Sequence, residues 1–223
     1  MCGRFSLTVG LEEVAQHFMV EKVESVEERP RYNIAPTQKV PVIVSEAGKR
    51  QLVTMRWGLT PYWAKDTSFS SRMINARGET VAQKPAFRKP FQQHRCLVPA
   101  DGYYEWKNEE GRKQPYRIVK KNRGLMAFAG LWDRWLSPQG EVVNSFTIIT
   151  IAASRKMAHL HHRMPVILRR EAESIWLDNS IQDSAFLSEI LYTGSSDDLE
   201  AYSVSTIVNA AKNDVPQCIL PIE

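Results

Sequence analysis

Apolar positions recur along this chain in short, punctuated runs. Alternating or continuous apolar segments at 40–45 (VPVIVS), 51–57 (QLVTMRW), 96–100 (CLVPA), 103–107 (YYEWK), 115–119 (PYRIV), 125–131 (LMAFAGL), 145–152 (SFTIITIA), 164–168 (MPVIL) and 202–206 (YSVST) are bounded by Gly, Pro, Asn or charged residues, the pattern of β-strands. Leu11, Val14, Ala15 and Phe18 share one helical face, so a short amphipathic helix is predicted over 9–19, placed to anchor the N-terminus. Helical spacing returns at 79–94, 154–160, 170–178 and 184–192. No repeat, low-complexity tract or long linker interrupts the sequence. The expected fold is therefore one α+β domain over residues 1–223, with mainly antiparallel β sheets in a barrel-like arrangement and peripheral helices.

Composition narrows the function. At 223 residues and 43% hydrophobic content the chain can bury a substantial core. The first twenty residues contain Arg4, Glu12 and Glu13, and no stretch approaches the ~18 apolar residues of a membrane span, so a cytoplasmic protein is expected. Three cysteines, Cys2, Cys96 and Cys218, form an odd set without close spacing, which fits a reducing compartment and neither a disulfide scaffold nor a zinc site. The net charge is +4, with basic residues clustered at Arg72 and Arg77, at Lys84, Arg88, Lys89 and Arg95, and at Arg163, Arg169 and Arg170. Such clusters suit a polyanionic partner, although a solvated face is the ordinary explanation of a charge run.

The second residue carries the most distinctive chemistry. Removal of Met1 would leave Cys2 with an α-amine and a thiol two carbons apart, a 1,2-aminothiol that traps aldehydes as an imine and then as a thiazolidine. An α-amine titrates near 8 and a lysine near 10.4, so the uncharged fraction of the terminus at neutral pH is roughly 300-fold larger. Ring closure is intramolecular, where effective molarities reach ~10⁵ M. The plain alternative is an inert, frayed N-terminus.

Three further polar clusters stand out. Ser70 to Glu79 is a polar segment in which Asn75 can hydrogen-bond a sugar oxygen and Arg77 can hold a phosphate; Asn75 can equally cap a helix starting near Glu79. In Asp101-Gly102-Tyr103-Tyr104-Glu105-Trp106-Lys107, a carboxylate between two aromatics can have a raised pKa and work as acid and base, or can be the exposed member of an alternating strand with Tyr104 and Trp106 inside. In His159-Leu160-His161-His162-Arg163-Met164-Pro165 a histidine next to an arginine precedes an apolar strand; the histidines lack the cysteine or acidic partners of a metal site.

Met1-Cys2-Gly3-Arg4-Phe5, Arg31 to Thr37 (RYNIAPT), Arg56 to Leu59 (RWGL), Ile74 to Thr80 (INARGET), Arg95 to Trp106 (RCLVPADGYYEW) and His161 to Pro165 (HHRMP) appear in order, and with them the chain resembles the SOS response-associated peptidase family. The likeness runs from Cys2 to about Pro221 and takes in Val204-Ser205 and Asn213-Asp214. Members of that family trap abasic sites. The resemblance implies that Cys2 is the nucleophile that forms a thiazolidine with the ring-opened sugar of an abasic site in single-stranded DNA. It implies that Asn75 positions the sugar, that Glu105 moves protons during imine formation and reversal, and that His161 assists ring opening and lyase-type strand cleavage. By the same likeness Arg4, Arg77 and Arg163 line the DNA groove and Trp63 stacks at the lesion. A monomer without a cofactor, a metal or a membrane partner is expected. Position 162 is His where the family often has Asp, so His161 has a different neighbour to set its tautomer and pKa. Two rival readings remain: an N-terminal-nucleophile thiol peptidase or autoprocessing hydrolase that removes Met1, and a plain single-strand-binding module.

Overall fold

A computed structural model describes residues 2–24, 26–194 and 198–222; Met1, whose removal the aldehyde chemistry requires, lies outside them. The elements run β1 (Phe5–Leu7), α1 (Leu11–Phe18), β2 (Lys22–Val23), β3 (Arg31–Ile34), β4 (Lys39–Glu46), β5 (Lys49–Trp57) and β6 (Asn75–Arg77). There follow α2 (Pro85–Gln93), β7 (Arg95–Ala100), β8 (Gly102–Glu109), β9 (Arg112–Lys120), β10 (Met126–Leu136) and β11 (Val142–Ala152). The chain finishes with β12 (Arg163–Pro165), β13 (Ile167–Leu168), α3 (Arg170–Leu177), α4 (Ser184–Ile190) and β14 (Leu199–Ser203).

Five of these strands close on themselves. β11 pairs with β10, β10 with β7, β7 touches β4 through Ile43 and Leu97, β4 pairs with β5, and β5 returns parallel to β11 at Arg56↔Ser145 and Trp57↔Phe146. The ring is a small barrel whose interior is filled by side chains. Beyond the ring, the same β11 carries β6 in parallel and β12 antiparallel. A second, wholly antiparallel sheet has the order β14-β9-β8-β1-β3. The expectation of mainly antiparallel sheets, a barrel and peripheral helices therefore holds.

Aromatic packing joins the two sheets. Phe5 of β1 meets Trp57 edge-on with ring centroids 5.1 Å apart and Phe128 at 6.1 Å, and Tyr103 of β8 meets Phe128 at 6.0 Å. All four side chains are buried. Such edge-to-face pairs add to the area they remove from water, and here they seat the strand that follows Cys2.

Several local expectations change. No helix spans 79–94: residues 79–84 form turns, and α2 begins only at Pro85. Proline forces the residue before it out of the helical region, and Lys84 sits at φ −69, ψ 132. The segment 154–160 makes successive turns with bonds such as Met157 N to Ser154 O, too few to propagate a helix. The last strand is Leu199–Ser203, because the Ser205 side chain accepts from Ile207 N and starts a 3₁₀ turn at 206–209. Arg95 belongs to no surface patch. It is fully buried and donates to the carbonyls of Phe91 (2.9 Å), Gln92 (2.6 Å), Trp176, Asp178 and Ile181 (3.0 Å), collecting the open ends of α2 and α3. Where β5 leaves the barrel, Gly58 has φ +122 and a Cβ there would lie 2.5 Å from the Ser70 carbonyl oxygen, so only glycine lets the 58–73 loop fold back.

Candidate active site

Cys2 precedes β1 and is fully buried. Its carbonyl oxygen accepts a hydrogen bond from Asn75 Nδ2 at 2.8 Å. Asn75 opens β6, whose parallel register against β11 (Ile148↔Asn75, Thr150↔Arg77) fixes where that amide points. The alternative of Asn75 as a helix cap is thereby corrected, since no helix starts at Glu79.

Glu105 is buried, with 4% of its surface exposed, so it is not the solvent-facing member of an alternating strand. Both faces of β8 are covered. Tyr103 packs into the main core, while Tyr104 enters a second small cluster with Val204, Val208 and Cys218, against which Trp106 is half-buried. Burial pushes the Glu105 carboxyl from the ordinary 4.5 up to about 7. The Cys2 thiol is raised far above its usual range by its own burial and by the charge of Glu105, so that carboxylate and sulfur are close enough to feel each other.

His161 ends the turn before β12. Its Nδ1 lies 3.0 Å from the Arg163 backbone N–H, and its ring stacks on His162 at 4.2 Å. Burial, together with the neighbouring His162 and Arg163, lowers its pKa. Glu105 and His161 face one cavity of 440 Å³ that is also lined by Arg4, Trp106, Lys113 and Asn209.

The predicted cations fall into two states. Arg77 is exposed at the end of β6. Arg4 is engaged: its Nη1 donates to Asn33 Oδ1 at 2.6 Å and to the Val208 carbonyl at 2.7 Å, with the guanidinium 5.7 Å from the Trp106 ring centre. Arg163 makes a two-pronged pair with Glu79 at 2.5 and 2.9 Å. Trp63 is exposed beside Tyr62 and Phe69 on the 58–73 loop, outside the cavity lining. That loop is tied down by Tyr62 N to Asp133 Oδ2 (2.9 Å) and Trp135 Nε1 to the Ala64 carbonyl (2.7 Å).

Three cavity residues were not foreseen. Trp106 donates from Nε1 to Asn209 Oδ1 at 2.7 Å, and Lys113 shares its face of the β8–β9 hairpin, where Trp106 opposes Pro115 and Asn108 opposes Lys113. Hairpin register could have found Lys113; Asn209, 103 positions from Trp106, leaves no local signal. Among the described residues no cluster of three or more His, Cys, Asp or Glu has metal-site geometry, and no helix is long and apolar enough to cross a membrane.

A family model for SOS response associated peptidase (SRAP) matches residues 1–211. The abasic site processing protein YoqW of Bacillus subtilis (strain 168) is 42% identical over 221 residues, covering 98% of this chain and 99% of that protein. The abasic site processing protein HMCES of Gallus gallus is 33% identical over 265 residues, covering 100% of this chain and 78% of that protein. A crystal structure of a protein from Bacteroides thetaiotaomicron superimposes with a TM-score of 0.89 at 28% identity, covering 100% of both chains. With the match spanning nearly its whole length, the chain belongs to the SOS response associated peptidase family.

Proposed function

We propose that this protein recognises abasic sites in single-stranded DNA and, once Met1 is removed, crosslinks to them through Cys2 and shields the lesion from strand cleavage. The α-amine attacks the C1′ aldehyde of the ring-opened sugar, and the carbinolamine loses water to give an imine. The sulfur then adds to the same carbon while the thiol proton passes to the imine nitrogen. One water leaves in total and a five-membered thiazolidine closes. The observation that carries this reading is the meeting of Cys2 with the Asn75 amide at 2.8 Å beside a buried Glu105.

Glu105, pushed up to about 7 by burial, is placed to give and to take a proton near neutral pH. It donates to the departing hydroxyl, recovers the N–H proton as the iminium becomes an imine, and then relays the thiol proton to the imine nitrogen, a proton that a buried sulfur cannot shed unaided. Asn75 orients the terminus and the sugar. His161 assists opening of the closed sugar and the lyase-type cleavage. Arg4, Arg77 and Arg163 line the groove, with the exposed Arg77 placed for a phosphate, and Trp63 stacks on unpaired bases. Residues 1–223 act as one domain, as a cytoplasmic monomer without a cofactor.

Relatives named for abasic site processing support this reading. Incubating the Met1-processed protein with an abasic oligonucleotide is expected to give a heat-resistant adduct that Cys2→Ala abolishes; full adduct yield from Cys2→Ala would discard the thiazolidine. A thiol peptidase is the second reading, favoured by the carboxylate next to Cys2. Burial and the Glu105 charge raise the Cys2 thiol, so attack on any amide needs a base to take its proton. An acyl-enzyme on Cys2 formed from an external peptide without DNA would promote it over the DNA reading.

A further inference from the structure

The cavity beside Cys2 has two chemically different sides. At 440 Å³ it lies within the ~300–1,000 Å³ of small-molecule sites, the size for one sugar phosphate rather than for a length of strand. Glu105 and His161 make the side that can give and take protons. The other side presents donors. Arg4 bonds Asn33 and the Val208 carbonyl through Nη1, while its Nε has no hydrogen-bond partner among the described residues. The Lys113 ammonium is exposed at the rim. Trp106 Nε1 can only donate, so the Asn209 oxygen that it meets at 2.7 Å is the acceptor, and the NH₂ end of that amide is left for a ligand.

Two cations and an amide N–H do not satisfy one another. A ligand with several negative oxygens satisfies all three, which is the chemistry of phosphate recognition. Glu105 joins this donor set to the nucleophile: it lines the cavity, and its charge is felt by the buried Cys2 thiol. Arg77 and Trp63, the groups expected to hold the rest of a strand, do not line the cavity. What reads the polymer is thus separate from what reads the sugar and its phosphate.

We infer a further activity: once Met1 is removed, the protein traps free phosphorylated aldehydes of sugar size at Cys2, with no nucleic acid attached. This rests on the reading of Cys2 as an aldehyde trap. The α-amine and the aldehyde lose one water to give an imine, the sulfur adds to the imine carbon, and the thiol proton moves to the nitrogen. No redox partner is needed, and no group leaves except that water. The phosphate stays on the ligand, against Arg4, Lys113 and the Asn209 amide. Free sugar phosphates therefore compete with DNA lesions for the same residue.

The test incubates Met1-processed protein separately with 2-deoxyribose 5-phosphate, with unphosphorylated 2-deoxyribose and with an abasic oligonucleotide, and follows intact mass for a gain of ligand less one water. Each sugar's rate is divided by its rate with free cysteine, which cancels differences in open-chain content. On this scale the phosphorylated sugar is expected to lead by about 10- to 100-fold, the worth of a charge-assisted bond. Cys2→Ala should form no adduct with either sugar. Lys113→Gln, a change at an exposed side chain, should cut the lead by about 2- to 5-fold, and Lys113→Arg should restore it. Equal normalised rates for the two sugars, or a lead that Lys113→Gln leaves intact, would overturn the inference. If the oligonucleotide is captured and the sugar phosphate is not, the inference falls and the DNA reading stands. If the sugar phosphate is captured and the oligonucleotide is not, the inference stands and the DNA reading falls.

Discussion

The cavity lies between two walls built by different means. One wall is the barrel side, where β11 holds β12 and so supplies His161, while Asn75 on the neighbouring β6 reaches the Cys2 carbonyl from outside the cavity lining; behind it the closed ring is filled with Trp57, Phe128, Phe146, Ile43 and Leu97, all buried. The other wall is β8 and β1, which supply Glu105, Arg4 and the approach to Cys2. β1 is only three residues long, too short to hold its place by backbone pairing, and chain ends fray unless tied down. Buried polar groups do the tying. Asp101 accepts from Ser6 Oγ at 2.6 Å, Thr8 N at 2.6 Å, Thr8 Oγ1 and Arg117 Nη2 at 2.9 Å, while Arg4 grips Asn33 and the Val208 carbonyl. Apolar packing gives a wall its rigidity; directional bonds give a terminus its coordinates.

Removing a polar tie should therefore harm far more than trimming the barrel. Asp101→Ala leaves the Arg117 guanidinium buried without its carboxylate and is expected to cost ~3–5 kcal/mol in denaturant unfolding, with the adduct rate falling as the terminus loosens. Ile43→Val is expected to cost ~0.5–1.5 kcal/mol and to leave the rate alone. Equal rate losses in the two variants would erase the contrast between the walls.

Glu105 sharpens the contrast through pH. In the folded chain its carboxyl keeps a proton up to about 7, whereas in the unfolded chain it lets go near 4.5. The folded state binds more protons between these values, so wild-type stability falls as pH rises through that window. Unfolding measured across this range should show the decline in wild type and a flatter line in Glu105→Gln, and the limb of the adduct-rate profile near pH 7 should vanish in the variant. A decline that survives the substitution would assign the proton elsewhere.

The smallest effect belongs to the rim. Lys113 is exposed, so Lys113→Gln should change stability by less than ~0.5 kcal/mol. If the Lys113 ammonium meets a phosphate, its loss lowers the salt slope of single-strand binding by about 0.7, and an unaltered slope would remove it from the interface.

Legibility divides along the same line. The barrel strands could be read from apolar runs, because burial leaves a period in the sequence. β1 and β6, at three residues each, could not, since both exist only through pairing with partners distant in sequence. The site residues came from motif resemblance, and residue type alone was ambiguous: alternation would have put Glu105 in solvent, and Asn75 read equally well as a cap. Arg4 and Arg163 looked like available cations. That terminal nitrogens of both already bond Asn33 and Glu79 depends on contacts 29 and 84 positions apart, which no local pattern encodes.

β3 is the outer strand of the second sheet, a place where unpaired backbone donors would normally invite another chain. Asp214 fills that row with a side chain: its carboxylate takes the Tyr32 and Asn33 N–H groups at 2.6 and 2.9 Å and braces itself on Arg31 at 2.6 Å. Asp214 thus occupies, with a side chain, backbone donors that a neighbouring strand would otherwise take at that margin.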